Sequence, residues 1–162
     1  VLVELLAAIS RNAPASSSPI SSAGKRVSAV LVDAGPLIAL IEPSDRNYTR
    51  CVSALEALTD RLVTVWPAFT EAMYLLSASA RSQEALWGMI ESGGLDLAVL
   101  SANDATRMRE LMEKYRDQPM DLADAALVHV AERDGLRRIF TLDRRHFTVY
   151  RIGKRGRFTI LP

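Results

Sequence analysis

Apolar positions along the chain alternate between two periods. Val27-Ser-Ala-Val-Leu-Val32 is a short apolar run ending at Asp33, with Gly35 and Pro36 just beyond. This predicts a buried strand feeding a turn, with Pro36 in the first turn of a helix that continues through Leu37 to Ile41 and stops at Pro43. Cys51, Leu55 and Leu58 fall on one face of a second helix, Tyr48 to Leu58. Leu62-Val-Thr-Val65 is short and β-branched, which predicts a strand. Phe69, Met73, Leu76 and Ala80 form one stripe of a helix over 68–80, and a further helix fits Gln83 to Ile90 before the Gly93-Gly94 pair. Leu95 to Leu100 alternates as a third strand. Ser101-Ala-Asn-Asp104 resembles a capping box opening a helix through Tyr115. Asp121 to Arg133 is the next helix, ended by Asp134-Gly135. Arg138 to Thr141 and Phe158 to Leu161 are the last two strands. Strands alternating with helices predict an α/β sandwich around a mostly parallel sheet.

A length of 162 residues suits one core. With 49% hydrophobic and 24% charged residues, the composition excludes a wholly disordered chain. Cys51 is the only cysteine, so no intrachain disulfide can form, and one Cys with two His supplies too few soft ligands for structural zinc. A reducing compartment, hence a cytoplasmic location, is expected. No stretch reaches the ~18–20 apolar residues of a membrane span, and no membrane partner is expected. Val1 to Ile9 is apolar but interrupted by Glu4, and no basic residue precedes it. Ala13 to Pro19 is rich in Ser and Pro. Residues 1–26 are therefore read as a flexible extension and linker, and 27–162 as the domain.

The net charge of +1 conceals an asymmetry. Eight basic residues lie between Arg137 and Arg157, and Asp143 is the only acid among them. A basic tail on a mildly acidic body suggests an anionic partner, although such a tail also serves as a solvated surface.

Several acids sit where a parallel sheet places its ligand site, beyond the carboxyl ends of strands. Asp33 and Asp143 each follow a strand directly. Glu71 lies early in the helix after the second strand, among Phe69, Ala72, Met73, Tyr74 and Leu75, which should limit its access to solvent. Asp121 and Asp124 open a helix and share one face. Each also has an ordinary structural use: a turn former at Asp33, an N-cap at Asp121, a favourable dipole position at Asp124. Together they would form a mutually repelling cluster, most easily sustained by divalent cations. Hard oxygen ligands point to Mg²⁺, with Mn²⁺ as an alternative. His129 reads as a partly buried helix residue, and Trp66 and Trp87 as packing residues. No G-x-S-x-G elbow or phosphate-cradling Gly-rich loop is present.

The acids lie within four motifs. Val30-Leu-Val-Asp33 precedes Gly35-Pro-Leu-Ile-Ala-Leu40. Trp66-Pro-Ala-Phe-Thr-Glu71, Met120-Asp-Leu-Ala-Asp-Ala-Ala-Leu127, and Thr141-Leu-Asp143 with Phe147 follow in order. On these motifs the chain resembles the PIN-domain family, and within it the toxin ribonucleases of VapBC-type toxin–antitoxin pairs. The resemblance covers nearly all of Val27 to Pro162. It implies a three-layer α/β/α fold with a mostly parallel central sheet of four to five strands. It also implies a Mg²⁺-dependent ribonuclease with Asp33, Glu71, Asp124 and Asp143 as catalytic acids. Asp33, Asp124 and Asp143 would hold metal. Asp121 is an acid additional to the family pattern, and either it or Asp124 is the direct ligand. Arg144, Arg145, Arg151, Lys154, Arg155 and Arg157 would then hold the RNA backbone near the metal. A cognate antitoxin and a homodimer are the implied protein partners. The alternative is a non-catalytic RNA-binding or protein-interaction module. A phosphotransferase using Asp33 as nucleophile would want a second acid at position 35, where Gly35 stands.

Overall fold

The computed structural model describes residues 28–162. The expected extension over 1–26 and its junction with the domain lie outside the described residues.

Five strands form one sheet: β1 (Ala29–Val32), β2 (Arg61–Thr64), β3 (Asp96–Leu97), β4 (Arg138–Phe140) and β5 (Thr159–Leu161). Their order is β3-β2-β1-β4-β5, and every pairing is parallel. β1 is central and closed to solvent on both faces, which explains its unbroken apolar run. Side chains alternate across it. Val30 and Val32 face one helical layer, and Leu31 faces the other.

The first layer comprises α1 (Ala34–Ile41), α2 (Tyr48–Glu56), α3 (Trp66–Leu75) and α4 (Ala80–Glu91). Leu37, Leu40, Leu55, Phe69, Leu86 and Met89 bury against the sheet there, together with Cys51. The second layer comprises α5 (Ala105–Lys114), α6 (Leu122–Asp134) and α7 (Arg144–Val149). From Ala123 to Ala131, every residue of α6 except Asp124 is buried. A helix apolar nearly all round must be packed on several sides. The three-layer architecture expected from the sequence is present.

Four elements differ from the sequence pattern. α1 starts two residues before Pro36, because the Asp33 side chain already caps it. The stripe read through Ala80 breaks at Leu75. Ser79 starts a new helix there, its hydroxyl oxygen accepting from the Ser82 N–H at 3.2 Å. β3 is two residues rather than six. It pairs only with Val63 and Thr64, and β2 turns into α3 immediately after Val65. α7 was not anticipated, since six residues are too few for a periodic pattern.

α6 ends at Gly135, whose φ of 70° lies in the left-handed region. A Cβ there is strained. Gly135→Ala should lower unfolding stability by about 1 kcal/mol with no change in secondary structure, measured by urea titration.

Candidate active site

Asp33, Glu71, Asp121, Asp124 and Asp143 all line one open cleft of about 550 Å³, with Pro119, Leu142 and His146 completing it. The cleft lies beyond the carboxyl ends of β1 and β4, where an open parallel sheet leaves room for a ligand. All five sequence-predicted acids are thus brought together.

Three of them are helix N-caps. A carboxylate oxygen of Asp33 accepts from the Ala34 N–H at 2.8 Å, one of Asp121 from the Asp124 N–H at 2.8 Å, and one of Asp143 from the His146 N–H at 3.0 Å. Helices α1, α6 and α7 therefore present their N-termini, with their unpaired N–H groups and positive dipole ends, to the same cleft.

The other oxygens are also held. The buried Thr141 hydroxyl donates to Asp33 Oδ2 at 2.7 Å, and its oxygen accepts from the Asp143 N–H at 2.9 Å. Thr141 thereby joins the end of β1 to the loop after β4. The Tyr150 hydroxyl donates to Asp124 Oδ2 at 2.9 Å. Its ring is fully buried, edge-on to Tyr115 and Phe147. His146 Nδ1 lies against the second oxygen of Asp143. Sequence reasoning assigned no role to Thr141 or Tyr150. Only the two-residue spacing of Thr141 from Asp143 was a local signal; the Tyr150–Asp124 contact joins residues 26 positions apart.

The carboxylates sense one another. Burial raises the pKa of Asp33, and the charges of Asp121 and Asp143 add to this, while the bonds from Thr141 and Ala34 act in the opposite sense. Burial raises Asp124 to about 7, with Asp121 the next cause and the Tyr150 hydrogen bond opposing. Glu71 is raised by desolvation, then by Asp33 and Asp121. Glu71 is nevertheless exposed at the cleft mouth: Phe69 and Ala72 turn inward, while Tyr74 and Leu75 are themselves exposed and give it no cover. That corrects the expectation of limited solvent access.

The donor set fits a hard divalent cation: all oxygen, mutually repelling, and open to water. Among the described residues, no group of three or more His, Cys, Asp or Glu side chains stands close enough together to hold a metal ion by itself. An open rim of carboxylates suits an ion that keeps several of its waters, as Mg²⁺ does.

The predicted basic residues are divided. Arg144 and Arg145 open α7 beside the cleft, and Arg144 donates to the Pro162 carbonyl at 2.6 Å. The Arg151 guanidinium donates to the carbonyls of Thr148, Val149 and Tyr150. Lys154 and Arg155 lie on a turn closed by Ile152 and Gly156, next to Glu132 near the far end of α6. Trp66 and Trp87 do pack on Phe69, but both stay partly exposed, as does Tyr74.

A PIN-domain family model matches residues 30–152. The chain belongs to the PIN-domain family. Within that family it is 30% identical over 135 residues to Ribonuclease VapC26 of Mycobacterium tuberculosis (strain ATCC 25618 / H37Rv), covering 82% of this chain and all of the relative. Solved structures share the fold. Mycobacterium tuberculosis VapC20, a Sarcin-Ricin loop cleaving toxin, superposes with a TM-score of 0.66 at 16% identity, over 72% of this chain and 91% of the other. A toxin–antitoxin complex from Klebsiella pneumoniae gives 0.58 at 20% identity, over 82% and 96%. VapBC2 from Rickettsia felis, bound to a DNA fragment from their promoter, gives 0.57 at 14%, over 83% and 99%. The family match spans all four acidic motifs of the sequence. No helix among the described residues is long and apolar enough to cross a membrane.

The Asp124 shift has a consequence for stability. Its carboxyl titrates near 7 in the folded chain, against 3.8 for an unperturbed group. Between those values the folded state holds a proton that the unfolded state has lost, so this group's contribution falls as pH rises from about 4 to about 7. Asp124→Asn should therefore be more stable than the parent in EDTA at pH 8, by on the order of 1–2 kcal/mol after allowance for solvent screening. The gap should close as pH is lowered towards 4. Equal stability of the two proteins at both ends of that range, by thermal denaturation, would mean that Asp124 is not perturbed.

Proposed function

We propose that this PIN-domain chain is a metal-dependent endoribonuclease and the toxin of a type II toxin–antitoxin pair. The observation that carries the reading is the convergence of five carboxylates on one cleft at the carboxyl edge of the sheet. A non-catalytic binding module has no use for a cluster that destabilises its own fold, least of all beside an anionic ligand. The likeness to a ribonuclease along the whole length of that relative supports the same chemistry.

Asp33, Asp124 and Asp143 would hold Mg²⁺, or Mn²⁺ in its place. When bound, the ion supplies charge neutralisation and water activation at the phosphodiester. The chain's own side chains do the rest. Thr141 fixes the Asp33 carboxylate, and Tyr150 fixes that of Asp124. Asp121 stands beside Asp124 as an outer partner, with one carboxylate oxygen committed to the helix cap. Glu71, at the exposed mouth, is placed to orient the attacking water or to bind a second ion. Arg144 and Arg145 would hold substrate phosphates at the rim, a sequence-independent attraction.

The cognate partner would be an antitoxin, as the toxin–antitoxin complex among its structural neighbours supports. A homodimer would use α3 and α4, where Trp66, Tyr74, Leu75 and Trp87 are exposed.

Cleavage of total RNA should require Mg²⁺ or Mn²⁺ and stop in EDTA. Asp33→Asn should lower the rate by roughly 100-fold or more while circular dichroism stays unchanged. A folded Asp33→Asn protein with normal metal-dependent cutting would refute the assignment. Light scattering should give twice the monomer mass at micromolar concentration. Only monomer across a concentration series would remove the α3–α4 dimer.

A further inference from the structure

After Asp143 the chain carries its cations away from the cleft in an ordered way. α7 lies at the rim with Arg144 and Arg145 on its first turn. The chain then descends beside α6. Tyr150 meets Asp124 near the start of that helix, and the Gly153 N–H donates to Glu132 Oε1 at 2.9 Å near its end. Asp124 and Glu132 are eight positions apart, so the descent covers about 12 Å. The turn at its foot is tight: a Cβ on Gly156 would stand 2.6 Å from the Ile152 carbonyl oxygen. This fixed turn presents Lys154 and Arg155, and Arg157 follows directly.

All three side chains are exposed and make no ion pair among the described residues. The nearby acids are already engaged: Glu132 by Arg107, and Asp134 by Arg133. Arg151, between rim and turn, satisfies the last carbonyls of α7 but keeps its positive charge. Between Arg144 and Arg157 the only large apolar side chain exposed is Val149, a single residue and no apolar patch, so this segment does not suit a hydrophobic protein partner or lipid insertion.

We infer that the segment from Arg144 to Arg157 is a one-sided cationic track for RNA flanking the scissile bond, with Lys154, Arg155 and Arg157 forming a contact remote from the cleft. The inference rests on the ribonuclease reading and narrows its substrate class. The RNA must extend from the cleft along the α6–α7 side for several nucleotides. Oligonucleotides confined to the cleft lose this contact.

The test compares the parent with the triple variant Lys154→Gln/Arg155→Gln/Arg157→Gln by fluorescence anisotropy in EDTA, where nothing is cut. Labelled RNA pools of roughly 24 and roughly three nucleotides serve as probes, the shorter spanning less than the descent from cleft to turn at about 3.4 Å per stacked nucleotide. The variant should bind the long pool at least tenfold more weakly and the short pool within twofold of the parent. Its slope of log affinity against log salt should be shallower by about 2, for three lost phosphate contacts on a single strand. The charge-retaining variant Lys154→Arg/Arg155→Lys/Arg157→Lys should bind both pools like the parent, which guards against a misfolded turn.

Unchanged affinity for the long pool, or equal loss for both pools, would overturn the track. So would retained RNA affinity with lost adsorption to phosphatidylserine vesicles, which would give the turn to a membrane surface. Parallel cleavage assays separate this from the ribonuclease reading. A parent that binds long RNA through these residues but cuts none refutes the nuclease and keeps a binding track. A parent that cuts, with binding indifferent to the substitutions, refutes the track alone.

Discussion

Five acids crowd one rim of this sheet, and three of them stay there because each closes the first turn of a helix. Asp33, Asp121 and Asp143 hold the N-termini of α1, α6 and α7. The N–H groups and dipole ends of those helices offset part of the repulsion between the carboxylates. The parallel sheet makes this arrangement available, because every strand delivers its successor helix to the same edge. Thr141 adds the cross-link. One buried hydroxyl donates to Asp33 and accepts from the backbone of Asp143, so the ends of two neighbouring strands cannot separate without breaking its bond to Asp33. Cap and ligand are not competing roles at these positions. A capping carboxylate uses one lone pair on the helix; even where its second oxygen is also held, by Thr141 at Asp33 and against His146 at Asp143, lone-pair capacity remains towards the cleft.

Much of this was legible in the sequence. The central strand shows as an apolar run because both its faces are covered, and the acids after β1 and β4 show because they interrupt such runs. What was hidden depends on tertiary contact. The hydroxyl of Tyr150 reaches Asp124 only because the chain turns back over α6, and no local pattern encodes that. α7 is a single capped stretch too short to show a period. β3 shrank because β2 ends where α3 begins, a limit set by a neighbour rather than by its own residues. Glu71 lies on the helix that the sequence predicts, yet it is not sheltered. Helical periodicity tells which residues share its face, not how wide the cleft in front of them is. The basic tail read as one patch because sequence distance is not spatial distance: nine residues from Arg145 to Lys154 run from the rim to the far end of a helix.

The site also explains an imbalance in the fold. The two hydrophobic layers are well filled, with large side chains fully buried on both faces of the sheet. Asp33, by contrast, is held at a cost, its pKa raised by burial and by like charges. A rigid, over-determined core is what allows a repelling cluster to be held in place without local unfolding.

Cys51 has a practical consequence of a different kind. It is fully buried in the first layer, and burial pushes its thiol up to about 11. At neutral pH almost none of it is thiolate, the only form that attacks electrophiles or disulfides. Because it is also the sole cysteine of the 162 residues, the folded protein behaves towards maleimides and mild oxidants as though it had none. A single cysteine introduced on the surface would be the one reactive position. Spin labels and fluorophores can be attached there without first stripping the native thiol from the core.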